Sequence, residues 1–487
     1  MVSEPFAGVG PAEPRPRADL APLLRWLASG EPVPERRDFA TGTAMPDGRL
    51  DMCKQSLGPA AAADLAAVLR PGPVKHLLLG TDGLGDTGAA EVAARAGDAQ
   101  LSTLYLGCNG ITATGACRIA DNLRASPAVV TGLWLKRNPI ETAGALAATE
   151  YAADSAVRTL DLVQTGLDAA AVALIAATLA DAPHHGTAEW AQRHGPTVRK
   201  AAAYRARAAS TSDPSTGDGG ASETVGVAAR TLEHDDHVDP KLAERFSGTD
   251  SKISMMDTES DALHLNFDGS PVDGSGNRTM APVLDALYLS GNPLGPAGGA
   301  AVAPIIATGS VTELYLAAAG LSDQGAAAIA DALTAAPQGR LTRLSLASNG
   351  IGPESLARVA VAAIAAGVEV LDFGRVKAAR VLGAAANRID EPAAARIAAA
   401  LAANPHRLTH LVLADTALTS RGAQHLLDAA QRAATPTRHR LGKGIAASIR
   451  QRLNALSADL PIRPEPAPAV AAIRSVHRTA GPGREAR

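Results

Sequence analysis

One phrase recurs ten times in this sequence and fixes what the chain can become. Anchored on the first leucine of an L-x-L step, it falls at Leu50, Leu77, Leu104, Leu133, Leu160, Leu287, Leu314, Leu344, Leu371 and Leu411. Two places on comes a second apolar residue, such as Leu106, Leu135, Leu289 or Phe373, and seven places on an isoleucine or leucine, such as Ile111, Ile140 or Leu294. Five places after the anchor, asparagine is common (Asn109, Asn138, Asn292, Asn349), with Gln55, Asp82, Thr165, Ala319 and Thr416 as variants. Outside the interruptions, successive anchors stand about 27 residues apart, a repeat period and not a domain length.

Each part of the phrase has a physical reading. Alternating apolar residues in L-x-L make a short strand with one buried face. An asparagine at the following turn can bond backbone groups that neighbouring coils leave unpaired in the interior. Between phrases, stretches such as "DQGAAAIADALTAAP" and "EPAAARIAAALAANP" carry Ile and Leu at helical spacing among alanines. No such unit can bury its core alone, so stacking must supply the stability.

The phrase LxxLxLxxNxI followed by a full helix resembles leucine-rich repeat proteins of the ribonuclease-inhibitor type. The resemblance implies an α/β solenoid, a horseshoe with parallel strands on the concave face and helices on the convex face. Units of mostly one length, and several replaced asparagines, depart from the type member, so ribonuclease inhibition itself does not carry over.

The period divides the chain into an N-terminal segment or cap (1–46), a first repeat block (47–183), a charged insertion (184–262), a second block (263–433) and a basic C-terminal cap and tail (434–487). The insertion is split in charge: residues 184–210 hold five Lys/Arg against one acid, and 211–262 four against twelve. Its "TSDPSTGDGGASETVG" has the composition of a linker. "LHLNFDG" (263–269) restarts the register as a degenerate unit. A shorter addition between Leu371 and Asn387 brings Arg375, Lys377 and Arg380 to the inner rim. The tail, with ten Arg/Lys against three acids from residue 436 onward, is expected to form a last helix and a solvated Pro-rich arm.

In L-x-L the leucines point into the core, so the residue between them points into the hollow. That column runs Asp51, Leu78, Tyr105, Trp134, Asp161, His264, Tyr288, Tyr315, Ser345, Asp372 and Val412. Only 3% of the chain is aromatic, yet four rings occupy this slot. Aromatic anchors beside charged residues are the types that dominate protein-binding hot spots. The expected partner-binding set is Tyr105, Trp134, Asp161, His264, Tyr288, Tyr315, Ser345 and Asp372, flanked by Lys136 and Arg137 and rimmed by Glu313 and Arg343. The plainer alternative is cross-strand packing by residues that favour strands.

Catalytic signals are weak. "GLGDTG" (83–88) is a GxGxxG, but it aligns with turn glycines of other units and lacks a nucleotide-binding crevice. "RLGKGIAAS" lacks the first glycine of a phosphate-binding loop. "EHDDHVD" (233–239) has metal-ligating residue types without fixed geometry. Asp161 beside His264 could form an acid–base pair, with no nucleophile or oxyanion donors to complete a site. No catalytic, cofactor or metal residue is therefore assigned. A net charge of −3 gives no reason to expect nucleic acid or membrane binding. Three cysteines without CxxC spacing suit a reducing compartment, and no secretory signal pattern opens the chain, so a cytoplasmic location is expected. The expected function is a non-enzymatic protein-binding scaffold acting through its concave face. The alternative is a regulator of a partner enzyme, an inhibitor or GTPase activator, with the insertion modulating access.

Overall fold

The computed structural model describes residues 14–182 and 283–477. Within them thirteen strands form one sheet, hydrogen-bonded in strict chain order. The strands are β1 Arg37–Phe39, β2 Gly42–Ala44, β3 Arg49–Asp51, β4 His76–Leu78, β5 Thr103–Tyr105, β6 Gly132–Trp134, β7 Thr159–Asp161, β8 Leu284–Tyr288, β9 Val311–Tyr315, β10 Arg343–Ser345, β11 Val370–Asp372, β12 His410–Leu413 and β13 Arg438–Leu441. From β3 to β13 every pairing is parallel, with anchor leucine opposite anchor leucine as far as β12, and each strand is followed by a helix. Strands stack about 4.8 Å apart, whereas helices pack about 8–10 Å apart. The helical layer therefore needs the longer arc and the sheet takes the inside. This is an α/β leucine-rich repeat solenoid.

Small residues narrow that mismatch. Gly144, in the helix Glu141–Ala153, lies so close to the preceding helix that a Cβ there would meet the Ala116 Cβ at 2.7 Å. Each anchor and its partner two places on is buried, and they join with helix residues such as Val92, Ile119, Ile175 and Ile329 in one continuous core.

The asparagines form a ladder through the turn layer. The Asn109 Oδ1 accepts from the backbone N–H of Asp82 at 2.9 Å, and its Nδ2 donates to Leu79 O at 2.7 Å and Leu106 O at 2.9 Å. Asn138 repeats the arrangement one unit on, Asn292 and Asn349 further along. Thr165 and Thr416 keep only the short bond back to their own strand. The insertion after β11 loops out, with a 3-10 turn at Lys377–Arg380, and leaves Asn387 in the ladder slot, accepting from Asn349 N at 3.1 Å and Ile351 N at 3.0 Å.

Both ends are finished differently from the repeats. The helix Arg17–Ser29 lays Leu20, Leu23, Trp26 and Leu27 over the first unit, and the antiparallel hairpin β1–β2 adds to β3. At the other end β13 is an extra repeat strand in which His439 takes the place of the anchor leucine, opposite Leu411. The helix Ala447–Leu456 then seats Ile449 and Leu453 against Ala423 and Leu427. The first block joins the second directly, β7 on β8. No strand therefore lies between Asp161 and Tyr288. The expected His264 neighbour is not interposed there, and His264, with residues 183–282 as a whole, lies outside the described residues.

Candidate functional site

The column between the paired leucines is in register across the sheet. Leu78 stands opposite Tyr105, Tyr105 opposite Trp134, Trp134 opposite Asp161, Asp161 opposite Tyr288 and Tyr288 opposite Tyr315. The rings form a continuous run. Tyr105 and Trp134 are 6.4 Å apart between centroids, Trp134 and Tyr288 5.3 Å, and Tyr288 stacks on Tyr315 at 4.4 Å and 9°. Two strand spacings separate Trp134 from Tyr288, about 9.6 Å, so the 5.3 Å ring separation means that they lean together over Asp161. Glycines on the same side make room: a Cβ on Gly80 would collide with the Tyr105 ring, and one on Gly132 would sit 3.3 Å from Trp134 Nε1.

Electrostatics follow from this closure. Burial pushes the Asp161 carboxyl up to about 6, against the lowering pull of Lys136 and Arg137. Its Oδ1 accepts from Val163 N at 2.9 Å. Asp51 and Asp372 accept in the same way from Cys53 N and Gly374 N, so an acid in this column folds back on its own turn. The Lys136 ammonium lies 5.1 Å from the Tyr105 ring centre. Arg137 is held by its Nε bond to Gln164 at 2.6 Å. The Tyr315 hydroxyl donates to Glu313 at 2.8 Å, and Arg343 pairs with Glu313 at 3.5 Å. Ser345 and Asp372 meet at 3.4 Å between Oγ and Oδ2.

One expectation is overturned: the column does not face an open hollow. Tyr105 and Trp134 are 3% exposed and Asp161 2%, with Tyr288 and Tyr315 half-buried. The cover is the C-terminal arm, which is not the solvated tail its composition suggests. After the last helix the chain turns back across the sheet. The His410 ring bonds Pro461 O at 2.9 Å, and Arg343 donates to Glu465 O at 2.6 Å. Next, Ala469, Val470 and Ile473 pack on a cluster of Cys53, Leu78, Tyr105, Trp134 and Tyr288. Finally Asp51 Oδ2 accepts from Ser475 Oγ at 2.7 Å, Val476 N at 2.5 Å and His477 N at 2.7 Å, while Arg49 donates to Arg474 O at 2.8 Å. From β12 to β3 is about 43 Å of stacked strands. The residues from 461 to 477 reach about 50 Å as an extended polyproline-like chain. The prolines of "PIRPEPAP" therefore suit the crossing, with slack for the short turn Pro468–Ala471.

Among the described residues no group of three His, Cys, Asp or Glu is placed to hold a metal ion, and no helix is long and apolar enough to cross a membrane. The family described as Leucine Rich repeat matches residues 341–360, the unit of β10. No curated protein matches the chain. That match, with the strand–helix repeat and the parallel sheet built from it, supports a leucine-rich repeat protein.

Proposed function

We propose that this chain is a non-enzymatic binding scaffold that grips a protein segment along its concave face, through Tyr105, Trp134, Tyr288 and Tyr315 with Asp161, Ser345, Asp372, Lys136 and Arg137 around them. The repeat family is commonly used for protein interaction. The observation that carries the reading is the run of four rings in register on the inner face. The core of the solenoid does not need these rings, since the leucines on either side already fill it. A preformed arc offers large rigid side chains at small ordering cost. A cytoplasmic setting and the ribonuclease-inhibitor type of repeat belong to the same proposal, supported by the cysteine pattern and by the full helix in each unit.

The test compares the native chain with a Trp134→Ala, Tyr288→Ala variant by affinity capture from a lysate of the source cells, followed by titration of each captured protein. Far-UV circular dichroism should match between the two. Captured proteins should bind the variant at least tenfold more weakly; unchanged affinity in a folded variant would refute the concave-face assignment.

A further inference from the structure

We propose that the C-terminal arm is a tethered self-ligand: residues 461–477 occupy the partner site in cis, and the partner is a protein segment of the same chemistry that displaces them. This rests on the concave face being the binding face. The arm shows what that face accepts. Small aliphatic side chains spaced as in Ala469, Val470 and Ile473 seat on the rings, and two successive backbone N–H groups and a hydroxyl then converge on one carboxylate, Asp51. A partner segment would therefore carry a short aliphatic turn followed by an extended stretch, with its N–H groups free for Asp51.

The arm is also an incomplete ligand. The Trp134 indole N–H and the Tyr288 hydroxyl are buried without a hydrogen-bond partner. A buried donor left unpaired costs enough to matter, about tenfold in affinity or more for each one satisfied. A competing segment with acceptor groups over Trp134 and Tyr288 would bind intrinsically better than the arm. It needs that advantage. The arm is joined to the face by a few residues after the helix Ala447–Leu456, and a short tether gives an effective concentration in the millimolar range. Closure in cis thus sets a threshold that a weak or chance sequence does not pass.

The experiment uses the full chain and a synthetic peptide with the sequence of residues 461–477, labelled at its N-terminus. Two full-length variants release the arm: Val470→Asp with Ile473→Asp, which spoils the aliphatic contact, and Asp51→Asn, which weakens the anchoring of the N–H groups. Amide exchange should show Val476 and His477 protected in the native chain and unprotected in the aliphatic release variant, with the repeats unchanged. The peptide should bind the aliphatic release variant about 10³-fold more tightly than the native chain. Adding Asp51→Asn or Trp134→Ala to that variant should weaken the peptide again. Equal peptide binding by native and release chains, or unprotected Val476 and His477 amides in the native chain, would overturn the self-ligand. So would arm protection that depends on protein concentration, which would mean exchange between copies. Failure of the concave-face reading looks different: the release variant would bind the peptide, and adding Trp134→Ala with Tyr288→Ala would change nothing.

Discussion

Asp161→Asn should stabilise the protein, and by an amount that grows with pH. Asp161 lies beneath the Trp134 and Tyr288 rings at 2% exposure, and burial has moved its carboxyl from the ordinary 3.8 to about 6. A folded-state pKa raised above the unfolded one means that protonation favours the fold. The stability linked to that proton is complete below pH 3.8 and is lost as pH rises through 6. Asparagine behaves as the protonated acid at every pH and can still accept the Val163 N–H bond through its Oδ1. The difference between variant and native chain should therefore be about 2 kcal/mol at pH 5 and about 3 kcal/mol at pH 7.5. Urea unfolding followed by circular dichroism between pH 5 and 8, with the slope on denaturant held equal, reads it directly. A gain independent of pH, or a loss, would show that the acid is solvated or paired and that the ring closure is wrong. A costly acid in a face otherwise closed by aromatic rings is a residue kept for something other than stability.

Two further perturbations probe the frame that holds this face. Asn138→Ala removes the acceptor for Asn109 N and Ile111 N and the donor to Leu106 O and Leu135 O, all in the interior. It should cost about 4 kcal/mol or more, and a loss under 1 kcal/mol by urea unfolding would remove the ladder from the account. His439→Leu restores the anchor leucine of the last repeat. Burial has pushed the His439 imidazole down to about 4, so the stability linked to its neutral ring is complete above pH 6.5 and about 3 kcal/mol of it is lost as pH falls to 4. The variant should lose that acid sensitivity between pH 6.5 and 4; identical pH profiles for the two chains would contradict it.

The repeat was legible because its signal is local and periodic. The anchors from Leu50 to Leu411, the ladder asparagines and the direction of the column all stand in the structure where the sequence puts them. The last strand was not legible, because "RHRL" puts His439 where leucine belongs and no ladder residue follows. The hairpin β1–β2 was missed because its short strands, RDF and GTA, carry no copy of the repeat phrase to mark them. The closure of the hollow was hidden for a different reason. Its far end is tied by bonds between residues more than 400 positions apart, Asp51 with Val476 and Arg49 with Arg474. Its segment, Pro-rich and basic, has the composition of chain left in solvent. Periodicity tells where a side chain points, and it is silent on what comes to lie over it.

The hairpin at the start of the sheet bears on how copies of this molecule behave at high concentration. An open parallel sheet offers two bare margins, and head-to-tail addition of one copy to the next would build a filament. Here the first margin is β1, which two reversals, at β2 and again at β3, return to the direction of the repeat strands, and it carries Arg37 and Asp38. The last margin presents Arg438 and Arg440. Polarity alone would therefore let the β1 of one copy continue the β13 of another, and what works against polymer growth is the shortness of β1, three residues, and the charged side chains that both margins carry.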